Sequence, residues 1–268
     1  MIDYSPIRVL EFDIETAPNL AYLWGFFNQN VAVNQIVEVG YTLCWAARWE
    51  GDSEVLFAGV HTHSMQDMLQ QMWDLLDEAD VVIHYNGKKF DVPTLNKEFV
   101  KHGMPPPSPY QQIDLFHVVR REFRFERNGM DFVCEQLGIP GKIQHKGMEL
   151  WDECMDTLKF QEKGIEMPEY VEKAWRLMKR YNVQDVKMLR HLYKRLLPWI
   201  KNHPNRALWM PPSDKPKCPN CGSTKLRFKS YKQSLTLTYK QYQCKNCGSY
   251  PRERYAEKTG RKDVLRGQ

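Results

Sequence analysis

The spacing of apolar residues along the chain predicts most of its elements. Residues 8–14 read as a buried strand entered almost at once from the N-terminus. Residues 36–49 and 54–60 are further apolar, β-rich stretches, with a turn expected at Gly51-Asp52 between them. The period then changes. Met65, Met68, Leu69, Met72, Trp73, Leu75 and Leu76 fall at helical spacing, which predicts a helix ending near Asp80. The short apolar run 81–84 has the character of an inner strand, and beyond Asn86-Gly87 a helical pattern resumes through Leu95, Phe99 and Val100. Residues 103–109 form a proline-rich loop, and residues 113–123 and 130–137 read as helices. The longest helical pattern covers residues 167–200, where Tyr170, Ala174, Leu177, Met178, Tyr181, Asp185, Met188, Leu189 and Leu192 recur on helical intervals. Strands, a helix, a strand and then helices predict an α/β domain with a mixed sheet.

Length and charge divide this picture in two. A chain of 268 residues exceeds the usual size of one domain, so a large domain with a small companion is expected. The stretch 203–216, with Pro204, Pro211, Pro212 and Pro216, reads as a linker. The boundaries this gives are 1–205 for the large domain, 206–216 for the linker and 217–268 for the small one. From Asp214 onward 14 Lys/Arg stand against 4 Asp/Glu, whereas the preceding residues carry 24 against 29. An acidic body with a basic end implies two tasks, the second compatible with phosphates. No apolar run approaches the roughly 18 residues of a membrane span, and the N-terminus lacks the basic-then-apolar pattern of a signal peptide. The expected compartment is therefore the cytoplasm. Cys44, Cys134 and Cys154 sit among apolar neighbours and read as small buried thiols.

Three acidic motifs carry candidate chemistry. In Asp13-Ile14-Glu15 two carboxylates at the end of an apolar strand point to one face, where they repel unless a cation lies between them; two solvated acids on a turn would look the same. In Asn86-Gly87-Lys88-Lys89-Phe90-Asp91 the last residue opens a helix, a place where Asp also serves as a simple cap. In Tyr181-Asn182-Val183-Gln184-Asp185 the Tyr and the final Asp lie four apart on one helix face with Leu177, Met188 and Leu192. A carboxylate in such an apolar stripe needs a metal or a partner such as Arg180 or Arg190.

Taken in order, these motifs closely resemble the three exonuclease motifs of the DEDD superfamily, which includes DnaQ-like proofreading exonucleases and ribonuclease D-like enzymes. The resemblance spans about residues 8–200. It is of the Tyr variety, since Tyr181 lies four before Asp185 and position 180 is Arg. Ile113-Asp114-Leu115-Phe116 and Met130-Asp131-Phe132 are also similar to phage and bacterial members. The resemblance implies a ribonuclease H-like mixed sheet flanked by helices, in a bacterial or phage-infected cell. It implies that Asp13, Glu15, Asp91 and Asp185 hold two Mg²⁺ or Mn²⁺ ions and that Tyr181 orients the attacking water, Asn86 shaping the substrate groove. The implied reaction releases nucleoside 5′-monophosphates from the 3′ end of single-stranded nucleic acid, DNA favoured over RNA. A structure-selective endonuclease or ribonuclease with the same site, or a module that only binds nucleic acid, are the alternatives.

The small domain has its own signature. Cys218-Pro-Asn-Cys221 and Cys244-Lys-Asn-Cys247 are two C-x₂-C pairs, each followed by Gly-Ser. Four thiolates suit one tetrahedral Zn²⁺ with no open position, a structural zinc ribbon. Residues 234–242 alternate like a hairpin strand. Lys225, Arg227, Lys229 and Lys232 interleave with Tyr231 and Tyr242, the composition of a single-strand binder, although a protein-docking module would fit too. The oligomeric state is not readable.

Overall fold

The computed structural model describes residues 5–28, 30–141, 143–257 and 263–265. They form two compact units, Arg8–Leu192 and a second made of the residues before Arg8 together with those from Tyr193 onward.

In the first unit, strand β1 (Val9–Thr16) is followed by a short β2 (Leu20–Ala21) and β3 (Ile36–Glu38), then β4 (Thr42–Trp49) and β5 (Leu56–Gly59). Helix α1 (Met65–Asp77), β6 (Val81–His84), α2 (Asp91–Lys101), β7 (Gln111–Asp114) and α3 (Leu115–Glu122) come next. Helices α4 (Met130–Gln136), α5 (Met148–Glu162) and α6 (Glu169–Leu196) complete the series. The main sheet has the order β5-β4-β1-β6-β7, so β1 is central. It runs antiparallel to β4 and parallel to β6, which is in turn parallel to β7. The mixed sheet and flanking helices are those of the expected ribonuclease H-like fold.

Alternation along β1 divides its side chains between two environments. Leu10, Phe12 and Ile14 are buried in one core cluster with Met68, Leu69, Met72 and Leu76 of α1 and Leu95 and Phe99 of α2. That apolar stripe at helical spacing is what holds α1 on the sheet. Ser64 caps the helix, its hydroxyl accepting from the Asp67 N–H. Gly59 at the end of β5 leaves room for two rings: a Cβ there would lie 2.9 Å from His61 Nδ1 and 3.0 Å from Trp175. His61 and Trp175 stack at 4.0 Å in the space so left.

Several elements depart from the hydrophobic pattern. The apolar stretch 36–49 is two strands in different sheets, since β3 pairs with β2 while β4 pairs with β1. Residues 113–123 are not all helical. Ile113 and Asp114 end a strand, and the Asp114 side chain then caps α3 by accepting from the Phe116 N–H at 3.0 Å. Helix α5 has no counterpart in the pattern, because only Leu150, Cys154 and Thr157 of its 15 residues are buried. The long helix stops at Leu196, where Leu197–Trp199 tighten into a 3-10 turn around Pro198. No described helix is long and apolar enough to cross a membrane.

In the second unit, β8 (Leu226–Ser234) and β9 (Leu237–Cys244) form an antiparallel hairpin. The expected strand 234–242 is thus interrupted by its turn, where Leu235 has φ 51°. The Asn220 amide, buried, donates to the carbonyls of Leu197 and Ile200 at 2.9 and 3.2 Å. The Leu197 carbonyl also accepts the Ile200 N–H at 3.4 Å, so the amide braces the 3-10 turn by which the chain leaves α6.

Candidate active site

Three carboxylates leave β1 on one face, and they have different neighbours. Glu11 is 1% exposed and faces Arg48, its register partner on β4, whose Nε donates to it at 3.0 Å. Asp13 and Glu15 stand opposite Ala46 and Cys44, which carry no charge. Asp185 reaches the same place from α6. One carboxylate oxygen from each of Asp13, Glu15 and Asp185 lies within 4.8 Å of the others. Three like charges at that spacing oppose one another unless a cation is shared among them. Oxygen donors from three carboxylates fit a hard divalent ion such as Mg²⁺ or Mn²⁺.

Helix α6 also supplies what orients this group. The amide of the buried Asn182 donates to Asp13 Oδ2 at 2.8 Å. The Tyr181 hydroxyl bonds to the Asp185 carboxylate one turn later. Burial, with the charges of Asp185, Glu15 and Asp13, pushes the Tyr181 phenol far above its ordinary value. It therefore keeps its proton throughout the neutral range. Its ring is crossed edge-on by His145 at 4.9 Å and by Trp151 at 5.9 Å.

Asp91 lies beside the group without joining it. Its Oδ1 accepts the N–H of Ile14 at 3.3 Å, the residue between Asp13 and Glu15. Burial pushes its carboxyl up to about 7, with Asp114 adding to the rise and the backbone N–H bonds opposing it. The turn before α2 fixes this position. Asn86 adopts φ 64°, and the N–H groups of Asn86 and Lys88 donate to Asp114 at 2.9 and 3.2 Å. Gly87 donates to His84 Nδ1 at 3.1 Å, and a Cβ on it would lie 2.5 Å from the His84 ring. Only glycine lets the turn close on that buried histidine. His84 is held neutral by burial, so Nδ1 accepts while Nε2 donates to Gln112 at 3.1 Å.

A cavity of about 250 Å³ opens next to the end of β1, lined by Thr16, Asn19, Tyr41, Phe90, Thr94 and Lys97 among others. Phe90 is 46% exposed immediately before Asp91.

In the second unit the sulfurs of Cys218, Cys221, Cys244 and Cys247 lie within 4.8 Å of one another. The two pairs sit on matching turns. The N–H of Gly222 bonds the Cys218 carbonyl and that of Gly248 bonds the Cys244 carbonyl, at 2.8 and 3.0 Å. Both glycines have positive φ, 73° and 81°. Among the residues expected to touch nucleic acid, Lys225, Arg227, Lys229, Tyr231 and Lys232 are exposed on or beside β8. Tyr242 is half-buried, its hydroxyl donating to Glu253 at 2.6 Å. Phe228 meets Tyr231 at 5.4 Å and Tyr242 at 6.2 Å, so the three rings form one cluster.

Asn182, Asp114 and His145 contribute to the site without having been assigned from the sequence. Asn182 stands inside the third motif, between Tyr181 and Asp185, so position alone could have singled it out. His145 carries no local pattern that would.

The RNase_H_2 family model, of the RNase_H superfamily, matches residues 10–197. Among solved structures the chain is similar to the family B DNA polymerase of the hyperthermophilic archaeon Pyrobaculum calidifontis, with a TM-score of 0.53 and 18% identity. The match covers 72% of this chain and 25% of the polymerase, so the chain corresponds to about a quarter of that protein's length. No curated protein sequence matches the chain.

Proposed function

The chain belongs to the RNase H superfamily, and from that premise we propose that it is a metal-dependent 3′→5′ exonuclease of the DEDD type with a Tyr in its third motif. Its substrate on this reading is single-stranded nucleic acid, DNA before RNA, and its products are nucleoside 5′-monophosphates. The observation that carries the reading is the convergence of Asp13, Glu15 and Asp185 within 4.8 Å, with Tyr181 bonded to the third of them.

Asp13, Glu15 and Asp185 would hold one divalent ion, and Asp13 with Asp91 a second. Ions held there supply charge that acidifies water and offsets the charge growing on the leaving 3′ oxygen. The protein's own part is positioning. Asn182 keeps Asp13 in one orientation by its amide bond. Tyr181, still protonated, donates to Asp185, and its hydroxyl oxygen can accept from a water and so align it with phosphorus. Asp91 titrates at about 7 with no cation beside it, and an ion held there would favour its carboxylate by offsetting the desolvation. Hydrolysis forms a bond from water's oxygen to phosphorus and breaks the bond from phosphorus to the 3′ oxygen. One water proton ends on that 3′ oxygen and the other on the released phosphate, from which it ionises to solvent. The cavity beside Phe90 is open at the end of the same strand and suits a terminal nucleoside.

The four cysteines would hold one structural Zn²⁺, shaping a ribbon whose exposed cations and rings meet the strand. A time course on 5′-labelled single-stranded DNA and RNA of one sequence tests the proposal. A ladder shrinking from the 3′ end with Mg²⁺, and lost in Asp13→Ala protein, is the expected result. Internal fragments would favour the endonuclease alternative, and intact substrate with Mg²⁺ and Mn²⁺ alike would leave only binding.

A further inference from the structure

The segment that leaves the sheet at β7 comes back to it. Beyond α3 the chain turns so that the carbonyl of Asn128 accepts the hydroxyl of Tyr85, one residue before Asn86. Phe116 at the start of α3 crosses the Tyr85 ring at 5.7 Å. Arg120 lies over the Phe116 ring at 5.6 Å, and Arg127 over Phe132 at 5.3 Å. Arg120, Arg124 and Arg127 are exposed, as are Lys88 and Lys89 on the turn that leads to Asp91. Lys88 and Lys89 therefore stand on the turn that delivers Asp91, while Arg120, Arg124 and Arg127 lie on α3 and the segment after it, which Asp114 and Tyr85 tie to that turn.

This placement is notable because residues 1–213 carry more Asp/Glu than Lys/Arg, 29 against 24. A polyanion approaching three clustered carboxylates is repelled unless cations beside them draw it in. A guanidinium lying over an aromatic face is held flat with its edge turned outward, as Arg120 is over Phe116. Arg127 is also paired with Asp131 at 3.2 Å, an exposed partner that a phosphate would have to displace. We propose that Lys88, Lys89, Arg120, Arg124 and Arg127 form a phosphate track in the nuclease unit itself, receiving the single strand on its way to the acidic site. This rests on the nuclease reading and adds a second nucleic-acid surface to the basic ribbon.

The test is equilibrium binding of fluorescein-labelled single-stranded DNA across a salt series, with full-length protein in an Asp13→Asn background that keeps the strand intact. Each phosphate contact to a single strand contributes about 0.7 to the slope of log affinity against log salt. The triple variant Arg120→Ala, Arg124→Ala, Arg127→Ala is expected to lose about 2 from that slope and at least about tenfold in affinity near physiological salt. The Arg→Lys triple keeps the charges and is expected to keep most of the slope. Lys163→Ala, Lys173→Ala, Arg176→Ala removes the same charge elsewhere in the unit and serves as the control. A track variant no weaker than this control, or an Arg→Lys triple as weak as the Ala triple, overturns the proposal. Failure of the otherwise wild-type protein to cleave would sink the nuclease reading and leave this binding result standing on its own.

Discussion

The Asn182 amide donates to Asp13 Oδ2 at 2.8 Å, so the helix that brings Asp185 to the site also fixes the central acid of β1. Asn182→Ala should leave the fold in place while freeing that carboxylate. Loss of a partner that orients a metal ligand typically costs about 10–100-fold in metal affinity or activity. Calorimetric titration with Mn²⁺, beside turnover on a labelled strand, would measure both. Unchanged metal affinity would show that the amide serves packing alone.

Glu11 and Arg48 illustrate a buried ion pair that cannot be half removed. Arg48→Met leaves a carboxylate 1% exposed with its principal counter-charge gone, a change expected to cost about 3–5 kcal/mol. The double variant Glu11→Leu, Arg48→Met should recover most of that loss, since both charges leave together. Urea denaturation of the three proteins gives the comparison. A double variant as unstable as the single would mean that shape, not charge, holds this pair.

Asp91 makes stability depend on pH in a stated direction. Its carboxyl titrates near 3.9 when unfolded and is pushed up to about 7 in the fold. The folded state therefore holds a proton that the unfolded state has released, and stability falls as pH rises from about 4 through 7. Asp91→Asn keeps an oxygen for the Ile14 N–H and removes this loss. In metal-free buffer at pH 8 the variant should be more stable by on the order of 2–4 kcal/mol, with the difference closing near pH 4. Melting curves of both proteins across that range decide it, and a gap independent of pH would contradict the assignment.

The cysteine cluster should carry about one zinc per chain by elemental analysis. Gly222 has φ 73°, and a Cβ there would lie 2.6 Å from Met210 Sδ. Gly222→Ala should therefore strain the first knuckle and speed zinc loss to a colorimetric chelator, whereas Gly141→Ala, which meets nothing within 4 Å, should not. Equal release rates would remove the role assigned to that turn.

Two pairs at the site were legible by spacing, whereas Asp91 joined them only through the resemblance of the three ordered motifs. Asp13 and Glu15 share a strand face by alternation, and Tyr181 and Asp185 share a helix face by a four-residue step. The apolar side of β1 and the stripe of α1 were readable on the same principle. What escaped has a physical reason in each case. Strand β7 is four residues long with only Ile113 and Asp114 buried, too little to set a period. Helix α5 buries three residues, so its surface is polar nearly all round. Asn182 reads as an ordinary polar helix residue until the fold places β1 against it. Asp114 stands out only within Ile113-Asp114-Leu115-Phe116, with no role attached, yet three backbone N–H groups converge on it. That convergence joins residues 28 or fewer apart in sequence but on separate elements, which no local pattern encodes.

The protonated state of Asp91 has a further consequence for how the site fills. On the proposed two-ion reading, a carboxyl that titrates at about 7 would give up its proton when a cation takes its place, so loading would become an exchange of one ion for another. Occupancy at a fixed magnesium level would then rise as the surroundings turn alkaline and fall as they acidify. The heat of loading would also change with the ionisation enthalpy of the buffer that collects the proton. Acidity and magnesium would compete for the Asp91 carboxylate, making the site a reporter of their ratio.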